Sequence, residues 1–449
     1  MNILNVGQQV ELYIVSLGSN GEGVAKFEGL TVFVAGALPQ EKVVAKIVLV
    51  KHNYAVAKLV EILEQSPERV KPYCKIYESC GGCQLQHLSY AGQLAVKRQQ
   101  VADALQHIGH LNCEVRPVLA MDNPWGYRNK MQFPVSGAMN KLAIGCYAVK
   151  SHCVIDTEKC LIQQDANNTV LAGVRLWMQK YGISSYNEKN RNGLVRHVMG
   201  RVTRSGVMAV IITASEKLPY QDELTNILCK QVPNLKSVVQ NINDKHSNVI
   251  MGNKSKIIWG DAYIKENINN LHFDISAESF FQVNTGQAEV LYNEVQKCAE
   301  LTGTEIVIDV YCGTGTISLI LAGKAKKVYG IEIVSQAINN AGNNAVANKI
   351  NNVTFKCGDA TIELPLILGK GVQPDLIVVD PPRAGCDEKV LRAIMNVNPK
   401  KIIYVSCNPA TLARDLVILT DGYSIDKVQP VDMFPQTTHI ETVVRLKQR

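Results

Sequence analysis

Residues 305–323 read EIVIDVYCGTGTISLILAG, an apolar strand that runs into a glycine-containing turn and then into an apolar helix. The same rhythm continues in KKVYGIEI at 326–333, NVTFKCGDA at 352–360, DLIVVDPPRAG at 375–385 and KIIYVSCNPATLARDL at 401–416. Continuously apolar strands that alternate with helices are typical of a parallel sheet covered on both faces. The C-terminal part of the chain therefore predicts an α/β fold, completed by the segments YSIDKVQPVDMF and HIETVVRL.

The strand ends of this sheet carry groups suited to a nucleotide-like ligand. Gly313 and Gly315 follow the first strand, and Glu332, Asp359 and Asp380 end the next three. Ligands of open α/β sheets bind at these carboxyl ends. Each carboxylate alone could be a helix cap, and the turn lacks the third glycine of a dinucleotide fingerprint. Their occurrence in order favours a cofactor site, in which Glu332 accepts hydrogen bonds from ribose hydroxyls and Asp359 from an adenine amine.

The fifth strand ends at Cys407, directly before a helix that begins with Asn408 and Pro409. A helix N-terminus can lower the pKa of a thiol, so we expect a nucleophilic thiolate, although a buried inert cysteine is the alternative. In the last strand, His439 and Glu441 lie two residues apart and should share one side. A thiolate that adds to carbon 6 of a pyrimidine, with a base that removes the proton from carbon 5, allows methylation at carbon 5. Glu441 is the expected base and His439 an orienting group.

Five motifs in order resemble the RNA 5-methyluridine methyltransferases of the TrmA and RumA type, within the class I S-adenosylmethionine-dependent methyltransferases. They are FFQVN, DVYCGTGTISL, VVDPPRAG, SCNPATLARD and DMFPQTTHIETVV. The resemblance implies that Cys407 is the nucleophile and Glu441 the base. It also implies that S-adenosylmethionine is contacted by Gln282, Tyr311, Glu332 and Asp380.

Two departures from related enzymes bear on the substrate. Arg383 follows Asp-Pro-Pro, where enzymes that methylate amino groups usually have an aromatic residue. RNA 5-methylcytosine enzymes also use a cysteine adduct, but they typically have Pro-Cys where this chain has Pro381-Pro382. Uridine is therefore favoured over cytidine. A non-catalytic RNA-binding or assembly factor is the alternative of another class, and the presence of both Cys407 and Glu441 argues against it.

The chain has 13 cysteines, and seven of them lie between Cys74 and Cys160. The segment YCKIYESCGGCQLQ holds Cys74, Cys80 and Cys83 in the spacing C-x5-C-x2-C, which suits zinc or an iron–sulfur cluster. Radical S-adenosylmethionine chemistry typically needs C-x3-C-x2-C and is disfavoured. The candidates for a fourth ligand are Cys113, Cys146, Cys153 and Cys160. The resemblance to the RumA branch implies a four-iron, four-sulfur (4Fe-4S) cluster with Cys160 as the fourth ligand, and Cys153 is the competitor.

Residues 1–64 form short, alternating segments with glycine at the turns, which predicts five strands in a small barrel of the oligonucleotide-binding (OB-like) type. The stretch GEGVAKFEGLTVFVAGALPQEKVVAKI and the exit SPERV resemble a TRAM domain. That family usually has glycine where Gln40 stands, so the turn there is the point of departure. The TRAM segment and the cluster imply ribosomal RNA as the substrate, with transfer RNA as the alternative, because bacterial members of the TrmA branch lack both.

With 449 residues and about 150 residues per domain, two or three domains are expected. We predict the TRAM domain at 1–64, a central α+β iron–sulfur and RNA-binding region at 65–270 and the methyltransferase domain at 271–449. The segment 88–110 has helical periodicity and is expected to pack on the catalytic domain, with Lys97 and Arg98 facing away from its apolar side.

Net charge is +7 from 47 Lys plus Arg and 40 Asp plus Glu. Residues 65–200 hold 16 basic and 9 acidic side chains and so carry the whole surplus, which suggests a surface that faces RNA, or simply a solvated charged face. No apolar run approaches the roughly 18 residues of a membrane span, so we expect no membrane association. An odd number of cysteines in a long chain without a signal sequence indicates reduced thiols in the cytoplasm. We expect the protein to be a monomer.

Overall fold

The computed structural model describes residues 4–138, 141–246 and 249–449. The N-terminal strands are β1 Gln9–Tyr13, β2 Ser16–Leu17, β3 Gly23–Phe27, β4 Leu30–Ala35, β5 Lys42–Val50 and β6 Tyr54–Glu64. They form one sheet in the order β1-β5-β6-β4-β3-β2, around a core that includes the fully buried Val32, Val34 and Ile47. The run QVELYIVSL is divided between β1 and β2, so this part has six described strands where five were expected. Residues 1–3 of the predicted 1–64 segment lie outside the described residues.

The turn at Gln40 explains why glycine is usual there. Gln40 has φ +70°, in the left-handed region, and its backbone N–H donates to the carbonyl oxygen of Ile14 at 2.9 Å. A side chain in this region costs about 1–2 kcal/mol, which glycine avoids. The turn therefore keeps its left-handed backbone with glutamine in place of glycine, and the backbone is locally strained.

The central part contains helix α1 Tyr90–His107 and a second sheet with its covering helices. Its elements are β7 Lys130–Ser136, β8 Ala143–Tyr147, β9 Val154–Asp156, α2 Asp165–Tyr181, β10 Val195–Thr203, β11 Gly206–Thr213, α3 Gln221–Gln231, β12 Leu235–Ile242 and β13 Lys254–Gly260. The strand order is β13-β12-β11-β10-β7-β8-β9, antiparallel except for the β11–β12 pair. Trp177 of α2 and Leu228 of α3 are fully buried against this sheet. A hairpin of β14 Ile264–Ile268 and β15 Leu271–Ile275 follows.

The C-terminal part alternates strands and helices, as predicted. Its elements are α4 Thr285–Ala299, β16 Ile306–Val310, α5 Thr316–Ala322, β17 Lys327–Glu332, α6 Ser335–Ala347, β18 Val353–Cys357, α7 Ala360–Gly369, β19 Leu376–Val379, α8 Glu388–Val397, β20 Lys401–Ser406, α9 Pro409–Leu419, β21 Tyr423–Val431 and β22 Glu441–Gln448. The sheet order is β18-β17-β16-β19-β20-β22-β21. The first five strands are parallel, whereas β22 runs antiparallel to both β20 and β21. Buried apolar clusters lie on both faces, which confirms the α/β architecture.

Helix α1 packs on this C-terminal sheet rather than on the cysteine-rich segment alone. Ser89 begins it, and its hydroxyl oxygen accepts a hydrogen bond from the N–H of Gly92 at 3.0 Å. Val101 and Leu105 are buried in the same cluster as Leu412 of α9. No helix in the three described stretches of the chain is long and apolar enough to cross a membrane.

The expectation that Lys97 faces solvent is wrong. Its side chain is 0% exposed, and its Nζ donates to Oδ1 of Asp432 at 2.6 Å and to the carbonyl oxygen of Phe434 at 3.0 Å. Asp432 is also 0% exposed and accepts a hydrogen bond from the hydroxyl of Tyr90 at 2.9 Å. A buried counter-charge that periodicity does not show therefore turns this position inward, and it ties α1 to the segment between β21 and β22.

Replacing Lys97 with methionine is expected to destabilise the fold by about 3–5 kcal/mol, because the Asp432 carboxylate would remain buried without its partner. The double variant Lys97→Met/Asp432→Leu should recover most of that loss, since it removes both charges. Thermal unfolding followed by circular dichroism measures both. The control is Lys254→Met at an ion pair with Glu216, whose side chains are 65% and 69% exposed and whose loss should change little. Equal effects of the two single substitutions would contradict a dominant role for the buried pair.

Candidate active site

The predicted site residues meet at one edge of the C-terminal sheet. The carboxyl ends of the parallel strands β16, β17, β19 and β20 share this edge, where ligands of α/β sheets bind. Because β22 is antiparallel to β20, its first residue lies at the same edge. This orientation brings a side chain from the amino end of a strand into a site otherwise made of carboxyl ends.

The turn after β16 has an unusual backbone. Gly313 has φ +55° with nothing within 4 Å of the place where a Cβ would stand, so the loop is open to a ligand there. Gly315 has φ +82°, and a Cβ on it would lie 2.8 Å from the Phe355 ring. Tyr311 also has a positive φ, +68°, which is uncommon for a non-glycine residue and typical of strained functional loops.

Glu332 is held by the backbone of the two loops beside it. Its Oε2 accepts from the N–H of Gly313 at 3.2 Å, and its Oε1 accepts from the N–H of Val334 at 2.9 Å. These bonds orient the carboxylate toward the glycine loop and leave further lone pairs for two hydroxyl donors. Asp359 instead caps α7, accepting from the backbone N–H and the hydroxyl of Thr361 at 2.8 and 2.7 Å. The helix-cap alternative thus holds for Asp359, and its contact with adenine stays a prediction.

Three carboxyl groups with raised pKa values lie at or near this edge of the sheet. Burial raises the pKa of Asp309 and of Asp380 to about 7. Asp309 accepts from the hydroxyl of Ser318 at 2.5 Å through Oδ2, and its buried Oδ1 has no hydrogen-bond partner in the described residues. Burial and the neighbouring Asp380 raise the pKa of Glu441 well above its ordinary value, while Arg383 acts in the opposite direction. Carboxyl groups destabilised in this way favour the arrival of a cation.

Asp309 was not among the predicted site residues. Its signal in the sequence is a single acidic residue inside the apolar strand IVIDV. Tyr292 was also missed; it is buried, lies within hydrogen-bonding reach of the Gln282 side chain and feels the charges of Asp380 and Glu441. Gln282 itself is anchored because its backbone oxygen accepts from Nδ2 of Asn129 at 3.0 Å. The central region thus supports the residue that precedes α4.

Cys407 lies at the end of β20, partly buried, before the N-terminus of α9. Asn408 caps this helix by accepting from the N–H of Ala410 at 3.1 Å, and its Nδ2 donates to the backbone oxygen of Arg383 at 3.1 Å. The predicted lowering of the thiol pKa is wrong for the protein without ligand. Burial, together with the charges of Glu441 and Asp380, raises the pKa of Cys407 to about 11, and Arg383 only partly opposes this.

The structure brings Cys407 and Glu441 together. Ser406 of β20 is paired with Thr442 of β22, so the next step of this antiparallel register places Cys407 beside Glu441. Glu441 is buried, with 6% of the residue exposed. His439 differs from its prediction, because β22 begins only at Glu441. The histidine is exposed in the preceding loop, with its ring centroid 6.0 Å from that of Phe434.

The four predicted cluster ligands line one cavity of about 540 Å³. They are Cys74, Cys80, Cys83 and Cys160. A fifth cysteine, Cys146, lines it too, and its thiol is hydrogen-bonded to that of Cys80, which lowers the pKa of Cys80. Within the described residues, no group of three or more His, Cys, Asp or Glu side chains is close enough to hold a metal ion.

Two other candidate ligands lie elsewhere. Cys113 packs against the core of the C-terminal sheet, and Cys153 is exposed. Neither lines the cysteine cavity. The walls of the cavity are tied to the rest of the molecule, because the backbone N–H groups of Gln84 and Leu85 both donate to the carbonyl oxygen of Gln436 at 3.0 Å. The cysteine-rich segment therefore contacts the loop that leads to Glu441.

Comparison with known proteins gives a consistent result along the whole chain. The family profile described as tRNA (Uracil-5-)-methyltransferase matches residues 207–449, and that of the TRAM domain matches residues 4–60. A protein of Halalkalibacterium halodurans described as an uncharacterized RNA methyltransferase is 47% identical over 448 residues, covering 99% of this chain and 98% of its own. One of Listeria innocua, with the same description, is 49% identical over 448 residues and covers 99% of both chains.

A solved structure also matches nearly the whole chain. The crystal structure of Pyrococcus abyssi tRNA (uracil-54, C5)-methyltransferase in complex with S-adenosyl-L-homocysteine has a TM-score of 0.78 and 27% sequence identity. The match covers 97% of this chain and 100% of that one. The predicted TRAM segment and methyltransferase fold are confirmed by these matches.

Proposed function

The chain belongs to the family of S-adenosylmethionine-dependent RNA uracil-5 methyltransferases, and on that premise we propose that it methylates carbon 5 of a uridine through a covalent cysteine adduct. The observation that carries the proposal is the proximity of Cys407 to Glu441, which lies next to the last β20–β22 pair, Ser406 with Thr442, and acts on the Cys407 thiol through its charge. A nucleophile and a base side by side at the cofactor edge are what this reaction requires.

The Cys407 thiolate adds to carbon 6 of the uracil, forming a carbon–sulfur bond and making carbon 5 an enolate carbon. Carbon 5 then takes the methyl group, forming a carbon–carbon bond as the carbon–sulfur bond of the sulfonium breaks. Glu441 removes the remaining hydrogen of carbon 5 as a proton. The electron pair released restores the carbon 5–carbon 6 double bond and expels the thiolate, so atoms and charges balance.

The groups at the sheet edge fit S-adenosylmethionine, which supplies a methyl group on a sulfonium cation. Glu332 is oriented for the ribose hydroxyls, and the open backbone at Gly313 gives room for the ligand. The unpartnered Asp309 oxygen and the raised pKa values of Asp309 and Asp380 suit a cationic ligand. We propose that Gln282, Tyr311, Glu332 and Asp380 contact the cofactor, as predicted from the motifs.

The affinity for S-adenosylmethionine is expected to fall by about tenfold or more between about pH 8 and about pH 6. The pKa values of Asp309 and Asp380 are near 7, so both groups become neutral as the pH falls through this range. A cation binds better to the ionised form that dominates above pH 7. Isothermal titration calorimetry measures the effect. S-adenosylhomocysteine lacks the sulfonium charge and is the control; the same pH dependence for both ligands would contradict this coupling.

We propose ribosomal RNA as the substrate, on the family resemblance of the TRAM segment and the cysteine motif. Transfer RNA is the second candidate, because the Pyrococcus abyssi protein named for a transfer RNA uracil matches 97% of this chain. Domain content alone therefore does not separate the two. RNA as the substrate and thiols in the reduced state support action in the cytoplasm, and we propose a monomer.

The function is tested with ribosomal and transfer RNA transcripts that carry tritium at carbon 5 of uridine. We expect one tritium to be released for each methyl group transferred, and 5-methyluridine to be the product by mass spectrometry. Release with only one of the RNAs identifies the substrate class. Methylation without tritium release, or 5-methylcytidine as the product, would contradict uridine carbon 5 chemistry; RNA binding without methylation would favour the assembly factor.

We further propose that Cys74, Cys80, Cys83 and Cys160 hold a 4Fe-4S cluster. All four line one roomy cavity, and a cluster separates its thiolates more widely than a single zinc ion with bonds of about 2.3 Å. Because methyl transfer is redox-neutral, the group would serve to hold the cysteine-rich segment against the loop that leads to Glu441.

Replacing Cys80 with serine is expected to reduce iron content and RNA affinity together, since the segment would lose its cross-link. Iron analysis and the absorbance of the thiolate-to-iron charge-transfer bands measure the iron content, and filter binding measures the RNA affinity. The matched control is Cys153→Ser, at an exposed cysteine outside the cavity. Full RNA affinity and full turnover of an iron-free preparation would overturn the structural role.

A further inference from the structure

An exposed aromatic pair lies beside the cysteine cavity. The rings of Tyr73 and Trp125 are 5.6 Å apart at their centroids and meet at 89°, edge to face. Tyr73 is 76% exposed, and Trp125 is partly exposed. One ring in such a pair fixes the other while leaving a face of the outer ring open, and an open aromatic face is what a nucleobase stacks on.

Positive charge flanks this pair. Lys71, Tyr73 and Lys75 are exposed, whereas the intervening Pro72 and Cys74 are partly buried. Neither lysine forms an ion pair with any residue in the described stretches. Two free cations beside an exposed ring match a backbone phosphate on either side of a stacked base.

The backbone that carries the pair is anchored toward the active site. The N–H of Gly126 donates to the carbonyl oxygen of Leu161 at 2.9 Å, next to the predicted ligand Cys160. The hydroxyl of Tyr127 donates to the carbonyl oxygen of Pro435 at 2.9 Å, in the loop before Glu441. Trp125 lies two residues from Tyr127, a Cα separation of at most about 7 Å. Trp125 therefore stands on the segment that joins the cysteine cavity to the loop before Glu441, and Tyr73 contacts it edge to face.

We propose that Tyr73 and Trp125, with Lys71 and Lys75, form a stacking platform for an unpaired base of the RNA, outside the pocket that holds the target uridine. This proposal rests on the proposed function in one respect, namely that the RNA bound by the platform is the substrate of the enzyme. Base stacking by aromatic residues is sequence-tolerant, so the platform reads single-stranded character next to the target rather than a particular base. It would select uridines that lie in open loops.

The test uses the intrinsic fluorescence of Trp125. The chain has three tryptophans; Trp177 is fully buried, and Trp259, 40% exposed, is removed by Trp259→Phe. In that background, single-stranded oligouridylate is expected to quench the fluorescence of Trp125 in a saturable way. Tyr73→Ala should weaken binding by about 5- to 150-fold, the range of one base stack, and Tyr73→Phe should restore it because the ring and not the hydroxyl is required.

Controls separate this platform from general RNA affinity and from the function itself. Tyr263→Ala removes another exposed tyrosine, 54% exposed, and should leave oligouridylate affinity unchanged. Lys71→Ala and Lys75→Ala should each reduce the slope of log affinity against log salt by about 0.7. Unchanged affinity in Tyr73→Ala, or equal loss in Tyr73→Ala and Tyr263→Ala, would overturn the platform. Absence of tritium release from any RNA by the wild-type protein would instead overturn the proposed function, and leaves the fluorescence result valid.

Discussion

Replacing Cys407 with alanine is expected to lower kcat/KM for RNA methylation by about 10⁴- to 10⁶-fold, as when a covalent nucleophile is removed from other enzymes. Without addition of sulfur to carbon 6, carbon 5 of uracil is too weak a nucleophile to take the methyl group. Tritium release from carbon 5 measures the loss. Burial, together with the charges of Glu441 and Asp380, raises the pKa of Cys407 to about 11 in the free protein, so the thiol has to lose its proton before it can add to carbon 6.

The adduct itself provides a second measurement. RNA that contains 5-fluorouridine has no proton to lose at carbon 5, so a covalent protein–RNA complex should accumulate with the wild-type protein and S-adenosylmethionine. It should be absent in Cys407→Ala. Cys229→Ala, at an exposed cysteine on α3, is the matched control and should form the adduct normally. An adduct that persists in Cys407→Ala would assign the nucleophile elsewhere.

Replacing Glu441 with glutamine is expected to slow turnover by about 10²- to 10⁴-fold, the contribution of a positioned general base. Addition and methyl transfer precede proton removal, so the methylated adduct should accumulate with ordinary uridine RNA. The side chain is buried and has no hydrogen-bond or ion-pair partner in the described residues. Burial and Asp380 raise the pKa of Glu441, which makes it a stronger base once ionised.

A denaturing gel distinguishes this result from simple inactivation. Wild-type protein should show little adduct at steady state with uridine RNA, and Glu441→Gln should show a stable band that contains the transferred methyl group. Glu388→Gln, at a 60% exposed glutamate on α8, should behave as wild type. A Glu441→Gln protein that is slow but forms no adduct would show that another residue removes the proton. Glu441 would then act at or before the addition of Cys407 to carbon 6.

Much of the sheet edge at which we propose that the cofactor binds could be predicted, because its signals are local. The glycines after β16 are required by backbone angles at those positions, and strand-end acids such as Glu332 lie at a common edge in any parallel sheet. The position of Cys407 could likewise be predicted, because the sequence around it shows a strand that ends directly before a helix. The small N-terminal barrel was predicted from alternating residues and its TRAM identity from the resemblance, although the extra strand and the left-handed Gln40 were not predicted.

The properties that depend on neighbours distant in the chain were decided only by the tertiary structure. Insertion of β22 antiparallel beside β20 brings Glu441 close to Cys407. Burial, together with the charges of Glu441 and Asp380, then raises the thiol pKa that was predicted to be lowered. Burial against Asp432 turns Lys97 inward, and folding of the cysteine-rich segment adds Cys146 to the cavity. Periodicity and spacing report what a residue's own segment requires. Charge and burial depend on which other segments pack against it, and that is a property of the folded chain.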